Sequence, residues 1–324
     1  MKAAWYERQG AAREVLVVGT MADPLPGPGE VRLRVAVSGV NPGDVKKRRN
    51  TYGYGMPYPR VVPHSDGAGT IDELGEGVGE EWLGRRVWCY GAQSYRPFGT
   101  AAELVVVPLA QAVPLADTIS FEVGACLGIP GITAHRALHV AGPVAGRTVL
   151  VHGGAGAVGA CAVALARHAG ARVIASVRSE EDVSRAAAAG AHEVVRAGEG
   201  LLEAVRGLAP SGVDHVVEAA LGANAAINAA LLAQGGSIAA YATDDPQPKI
   251  PFWPLVFQNA TLYFLGSDDF PPAAKVAAAR EVTAALAAGW PGPQVARRFP
   301  LDDVAGAHEA VEGGAVSGRV VVVP

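Results

Sequence analysis

TVLVHGGAGAVGACAVALARHAGARVIAS, residues 148–176, reads as strand, glycine-rich turn, helix, turn and strand within one unit of about thirty residues. The apolar run 148–152 leads into Gly154, Gly156 and Gly159, spaced G-x-G-x-x-G. Gly154 suits the sharp turn, Gly156 lets the backbone approach a pyrophosphate, and Gly159 lets the helix pack closely on the strand. The N–H groups that open the helix, helped by its dipole, then face the phosphates. Glycine-rich turns are widespread; the two apolar strands and the alanine-rich helix around this one make it specific. A βαβ unit without a ligand is the weaker competing reading.

The end of the second strand speaks to the cofactor. A site built for NAD places Asp or Glu there, against the ribose hydroxyls. Here the strand 172–177, RVIASV, runs into Arg178 and Ser179, and the first carboxylates, Glu180 and Glu181, fall where the next helix should begin. A guanidinium beside a hydroxyl suits a 2′-phosphate. Ser176, Arg178 and Ser179 are therefore expected cofactor contacts, and NADPH the expected dinucleotide. The alternative makes Arg178 a solvated loop residue and Ser179 an N-cap, with Asp182 at the capping-box position; Ser179 can serve both.

A chain of 324 residues suits two domains, and a composition that is 50% hydrophobic and 18% charged allows a large core. A net charge of −4 argues against nucleic acid as a partner. The run Lys46-Lys47-Arg48-Arg49 is read as a solvated helix face. The start, MKAAWYERQG, lacks a signal-peptide core and no uncharged stretch reaches spanning length, so the expected location is the cytoplasm. Cys89, Cys126 and Cys161 lie far apart and form no CxxC pair. They are read as small buried hydrophobes; neither a disulfide framework nor zinc is expected.

Strands are expected at 31–37, 67–74, 86–90 and 102–108, separated by Gly/Pro turns. From Phe121 onward helices alternate with strands at 148–152, 172–177, 193–195, 215–218, 237–241 and 261–266, the pattern of a parallel, doubly wound sheet. A helix (272–288), a strand (294–299), a helix (301–312) and a closing strand (318–323) follow, and the tail is expected to return to the first domain.

These motifs, in this order, resemble those of the zinc-free quinone oxidoreductases (zeta-crystallin-like) of the medium-chain dehydrogenase/reductase superfamily. The matching segments are SGVNPGDVKKRRNTYG (38–53), PHSDGAGTI (63–71), GIPGITAHRAL (128–138), VHGGAGAVG (151–159), GAHEVV (190–195) and SGRVVVV (317–323). The resemblance implies an α/β fold in which a Rossmann doubly wound parallel sheet (123–266) is inserted in a GroES-like β-rich domain (1–122 and 267–324). It also implies a cleft holding NADPH.

Carried over by residue, the resemblance implies that Asn41 and Tyr52 line the nicotinamide and substrate end, with Thr133 near the nicotinamide. Ala155, Gly156, Ala157 and Val158 match the phosphate loop, between Gly154 and Gly159, and Arg178 a 2′-phosphate contact. Asn224, the turn Tyr241, Ala242, Thr243 and Asp244, the strand end Leu265, Gly266 and Ser267, and Arg319 match further cofactor positions. Two departures stand out. Lys46 occupies the position, five after Asn41, where many relatives carry tyrosine; it reads equally as a hydrogen-bond donor at the site and as part of the basic run. His64 stands where relatives have glycine, and is read as a cleft or structural histidine, since the zinc enzymes' histidine falls at Ser65 and their first cysteine, near Asn41, is missing.

Hydride transfer asks the protein mainly for position. The expected reaction is reduction of quinones by NADPH, with Asn41, Tyr52 or Lys46 hydrogen-bonding the acceptor oxygen. Reduction of α,β-unsaturated carbonyls is the second reading, and a non-catalytic NADPH-binding protein the third. The loops 49–60 and 246–258 are expected to shape the pocket; their Tyr54, Tyr58, Phe252 and Trp253 suit a flat ring or equally ordinary packing. The apolar strand 261–266, last in its sheet, suggests an edge covered in a homodimer or a dimer of dimers.

Overall fold

In the computed structural model, which describes residues 1–314 and 316–324, every pairing of the six-stranded sheet is parallel. Its spatial order is Glu193–Arg196, Arg172–Val177, Thr148–His152, Val213–Glu218, Leu232–Ala240 and Thr261–Phe264. Numbered along the chain that is 3-2-1-4-5-6, the doubly wound order, whose direction reverses between Thr148–His152 and Val213–Glu218. Buried on both faces, the strands are short apolar runs; Val149, Leu150, Val151, Val173, Ile174 and Ala175 are all fully enclosed. The helix Ala157–His168 follows the first strand, and its Cys161 to Ala166 are buried without a break.

The chain divides into two units, Met1–Ile129 with Gly292–Pro324, and Pro130–Pro291. The second return falls later than residue 267, because the helix Pro272–Ala287 packs on Ala157–His168 and sets Val282 against Gly131. In the first unit a seven-stranded sheet runs in the order Val295–Pro300, Arg319–Val323, Glu30–Val40, Asp66–Leu74, Arg86–Cys89, Ala112–Pro114, and Leu104–Pro108 also pairs with Glu30–Val40. All these pairings are antiparallel except that of the first two strands. The closing strand does return to this unit, beside Val40, Gly39 and Ser38. The expected helix 301–312 is a single 3-10 turn, Leu301–Asp303, and then the α-helix Val304–Glu312, capped by Asp303.

The basic run is not a solvated face. It lies in and just after the helix Pro42–Arg48; Lys46 and Lys47 are half-buried, Arg48 is fully enclosed and only Arg49 is exposed. Arg48 donates to the Gly10 carbonyl and to Glu312, and its Nε reaches His308 Nδ1 at 3.4 Å. His308 Nε2 meets His64 Nε2 at 3.0 Å, His64 Nδ1 meets Ser38 Oγ at 2.8 Å, and Ser38 meets Thr100 Oγ1 at 2.7 Å. Thr100 Oγ1 donates to the Asp66 carbonyl at 2.6 Å. Arginine only donates, so every proton in this chain is assigned: both rings are neutral, His308 donating from Nε2 and His64 from Nδ1. His64 is thus a buried structural histidine. Its φ of +76° is left-handed backbone, where glycine is the usual residue.

Candidate active site

Where the sheet reverses direction, ligands bind beyond the carboxyl ends of the strands. The glycine turn leaves the first strand at this point. Gly153, not Gly154, takes the left-handed conformation that sharpens the turn (φ +66°). Gly154 is needed for another reason: a Cβ there would stand 2.7 Å from the Cβ of Ala175 on the next strand. Gly159 is tighter still, since its Cβ would lie 2.0 Å from the Gly153 carbonyl oxygen. Gly156 is exposed and caps the helix. The first intrahelical bond runs from Ala160 N–H to the Gly156 carbonyl at 2.8 Å. The N–H groups of Ala157, Val158 and Gly159 therefore precede the ladder, while Gly156 N–H closes the turn on the Gly153 carbonyl at 2.8 Å, and the loop 155–159 forms a backbone cradle suited to a pyrophosphate.

Behind the cradle runs a buried polar chain. Ser176 Oγ meets His152 Nδ1 at 2.9 Å, and His152 Nε2 meets Asn228 Oδ1 at 2.8 Å. Asn228 Nδ2 donates to Glu218 Oε2 at 2.5 Å; Asn224 Nδ2 (3.0 Å) and Ala220 N–H (2.5 Å) donate to Glu218 Oε1. The Asn228 oxygen accepts from His152 Nε2–H, and His152 Nδ1 shares a hydrogen bond with the Ser176 hydroxyl. This chain ties three strand ends together. Ser176 is hydrogen-bonded towards the interior, and Asn224 donates to the Glu218 carboxylate. Glu218, His152 and Asn228 escaped the sequence reading, although a carboxylate at the end of a parallel strand is a usable signal.

At the tip of the second strand Arg178 is exposed, and Ser179 is the N-cap of Glu180–Ala188. Ser179 Oγ accepts Asp182 N–H at 3.2 Å and donates to Asp182 Oδ2 at 2.7 Å. Arg196, which the sequence reading missed, donates to the Arg178 carbonyl at 3.0 Å and brings a second guanidinium to the tip.

Further along the sheet, Tyr241, Ala242, Thr243, Leu265 and Gly266 come together, joined by Leu221, around a cavity of about 380 Å³. Burial and the nearby Glu218 push the Tyr241 hydroxyl up from its ordinary range, so it stays protonated. Asp244 lies outside this lining, its Oδ1 accepting Ala223 N–H at 3.1 Å, and Ser267 opens the 3-10 turn Ser267–Asp269. Of the aromatics, Phe252 and Trp253 are exposed on Phe252–Phe257 rather than lining this cavity.

Of the remaining expected residues, Asn41, Tyr52 and Arg319 belong to the first unit and Thr133 to the second. Asn41 is buried ahead of the helix Pro42–Arg48, with its N–H on Asp44 Oδ2 at 2.8 Å. Its Nδ2 donates to Asp66 Oδ2 at 2.7 Å and its Oδ1 accepts from Arg319 Nη2 at 2.9 Å. Arg319 is itself buried. Tyr52 is 53% exposed and stacks on Tyr54 with centroids 5.8 Å apart. Thr133 is buried on the helix Gly128–His139.

Known proteins carry the same architecture. The alcohol dehydrogenase GroES-like domain family matches residues 27–117, and the zinc-binding dehydrogenase family matches residues 157–279. Mouse (Mus musculus) quinone oxidoreductase is 31% identical over 92% of this chain and 90% of its own length. The chain belongs to the zeta-crystallin-like quinone oxidoreductase family of the medium-chain dehydrogenase/reductase superfamily. Three solved structures are similar over the whole chain and at least 99% of their own. An NAD-dependent alcohol dehydrogenase has 27% identity and a TM-score of 0.87, and a mycobacterial protein complexed with NADPH has 29% and 0.85. A 2-haloacrylate reductase has 26% and 0.81. Membership makes this family member an oxidoreductase with a nicotinamide-dinucleotide site, which the exposed cradle at Gly156 fits. Among the described residues no three His, Cys, Asp or Glu side chains stand together to hold a metal. No helix among them is long and apolar enough to cross a membrane.

Proposed function

We propose that the protein, working in the cytoplasm, transfers hydride from NADPH to small quinones. The observation that carries the reading is the cradle at 155–159 on the reversal point of the sheet, with a cavity lined by Tyr241, Thr243 and Leu265 on the same sheet. The bound dihydronicotinamide supplies the hydride. The N–H groups of Ala157 and Val158 hold the pyrophosphate, and Arg178 with Ser179 receives the 2′-phosphate; a strand tip without a carboxylate favours NADPH. The apolar walls, Leu221, Ala242 and Leu265, orient a flat acceptor and exclude water. Asn41, Tyr52 and Lys46 are assigned to the acceptor end, Asn41 as an oriented amide and Tyr52 as a hydroxyl donor. An electron-poor acceptor needs little further polarisation, so such a site serves without a Lewis acid. Similarity to a 2-haloacrylate reductase favours a second reading, the reduction of activated carbon–carbon double bonds.

The same proposal includes a homodimer. The strand Thr261–Phe264 is the edge of its sheet, Phe264 is 70% exposed, and Phe252, Trp253 and Phe257 nearby in sequence are exposed as well. Steady-state oxidation of NADPH and NADH across a panel of quinones and enones tests the reaction. Binding without turnover on any member would leave a non-catalytic NADPH-binding protein.

A further inference from the structure

One fully enclosed carboxylate joins residues that the reading above assigns to the nicotinamide end. Asp66 opens the strand Asp66–Leu74 and has no exposed surface. Its Oδ2 accepts Asn41 Nδ2–H at 2.7 Å, and both its oxygens stand 2.9 Å from Ile129 N. Ile129 is in the first turn of the helix Gly128–His139, and Thr133 lies one turn further along that helix. The approach is close: a Cβ on Gly128 would lie 2.1 Å from Asp66 Oδ1. On the other side Asn41 Oδ1 accepts from Arg319 Nη2. Arginine only donates, so the Asn41 amide must turn its oxygen to Arg319 and its NH2 to Asp66. The arrangement observed therefore requires Asp66 Oδ2 to accept, and an ionised carboxylate, accepting at both oxygens, satisfies Asn41 and Ile129 best.

We propose that Asp66 is a positioning residue for the dinucleotide site. Its carboxylate fixes the Asn41 amide, through it Arg319, and the first turn of the helix that carries Thr133. The proposal rests on the nicotinamide reading of Asn41 and Thr133 given above, and on it a protein with protonated Asp66 works poorly. A proton on Oδ2 would face the Asn41 NH2, and a proton on Oδ1 would leave Oδ2 alone to accept from both Asn41 and Ile129 N–H; either way the anchoring is weakened. The groups around Asp66 place its titration in the useful range. Burial pushes it up to about 7, against the pull of Arg319 and Asn41 and with a smaller push from Asp44. Cys89 and Cys126, the other titratable neighbours, are themselves raised by burial and stay neutral.

The test uses the full chain and its Asp66→Asn variant. The probes are NADPH and NADH, the second because the 2′-phosphate itself titrates at about 6. Cofactor dissociation constants, kcat and KM are followed from pH 5.5 to 8.5 with one small quinone and one enone. For the wild type we expect kcat/KM with both cofactors to rise through a midpoint near 7 to a plateau. Asp66→Asn should sit about tenfold lower and show no such midpoint, because it cannot ionise and offers one uncharged accepting oxygen where the carboxylate offers two. If that variant does not fold, the wild-type profile decides, and a flat profile with NADH overturns the proposal. An Asp66→Asn enzyme that keeps the wild-type midpoint and rate overturns it too, while the dinucleotide reading survives. A wild type that neither binds nor oxidises either cofactor sinks that reading and this proposal together.

Discussion

Acid should destabilise the first unit through the buried pair His64 and His308, by an amount the structure fixes. Each ring is neutral because each nitrogen is already committed, from Arg48 through to Ser38. Burial holds His64 down at about 3 and His308 well below its ordinary value, the second helped by the facing His64 ring, beside which a second proton would repel, and by the Arg48 charge. Such a histidine gains its proton only on unfolding. Its contribution is complete above the unfolded value of about 6.5 and is lost as the pH falls towards the folded one. From about pH 7 to about pH 5 each ring removes about 2 kcal/mol, so the pair removes about 4. Asp66 opposes this, because with a folded value of about 7 it is protonated in the native chain while still ionised in the unfolded one. Its protonation returns about 2 kcal/mol over the same interval. His308→Gln keeps an acceptor for Arg48 and a donor for His64 but does not titrate. Urea unfolding followed by fluorescence at pH 5, 6 and 7 should show the variant losing about 2 kcal/mol less than the parent, with an unchanged slope. Identical pH dependence in the two proteins would refute the assignment of two neutral, acid-sensitive rings.

Three further outcomes are expected. Gly159→Ala places a methyl 2.0 Å from a carbonyl oxygen, so the turn must shift; calorimetry should show a loss of about 1–3 kcal/mol and titration a weaker dinucleotide complex. Arg178→Glu should cost NADPH about 1–3 kcal/mol of binding and NADH much less; equal losses in calorimetric titrations would show that Arg178 does not read the 2′-phosphate. Light scattering should report a dimer at micromolar concentration, and Phe264→Asp should shift it towards monomer, whereas a monomeric parent would remove the proposed edge pairing.

The sheet was legible because its signals are local. Thr148–His152 and Arg172–Val177 begin and end where the apolar runs do, and Glu193–Arg196 and Arg319–Val323 differ by a residue. Local reading failed where contact between distant segments decides. The sharp turn falls on Gly153 because Gly154 packs on Ala175, which no spacing rule reveals. Arg48 looked solvated within its basic run, yet His308 and Glu312, far along the chain, enclose it. Helix Pro272–Ala287 looked like the start of the return, and its packing on Ala157–His168 puts it with the parallel sheet. Asn41 and Arg319 were singled out from the sequence, but Asp66, which accepts from Asn41, is recognisable as their neighbour only once strand Asp66–Leu74 lies beside Glu30–Val40. Glu218 and His152 became partners only through the crossover that sets their strands side by side.

Oxidation of NADPH by a graded set of acceptors, followed at its absorbance, tests the central claim most directly. The set runs from small soluble quinones through enones to cyclohexanone, with ethanol and NADP+ for the reverse direction. The account predicts rapid turnover with quinones, slower or comparable turnover with enones, and almost none with cyclohexanone or ethanol, since on the proposed reading only an electron-poor acceptor reacts without further polarisation. Faster reaction with ethanol or cyclohexanone than with any quinone or enone would contradict it.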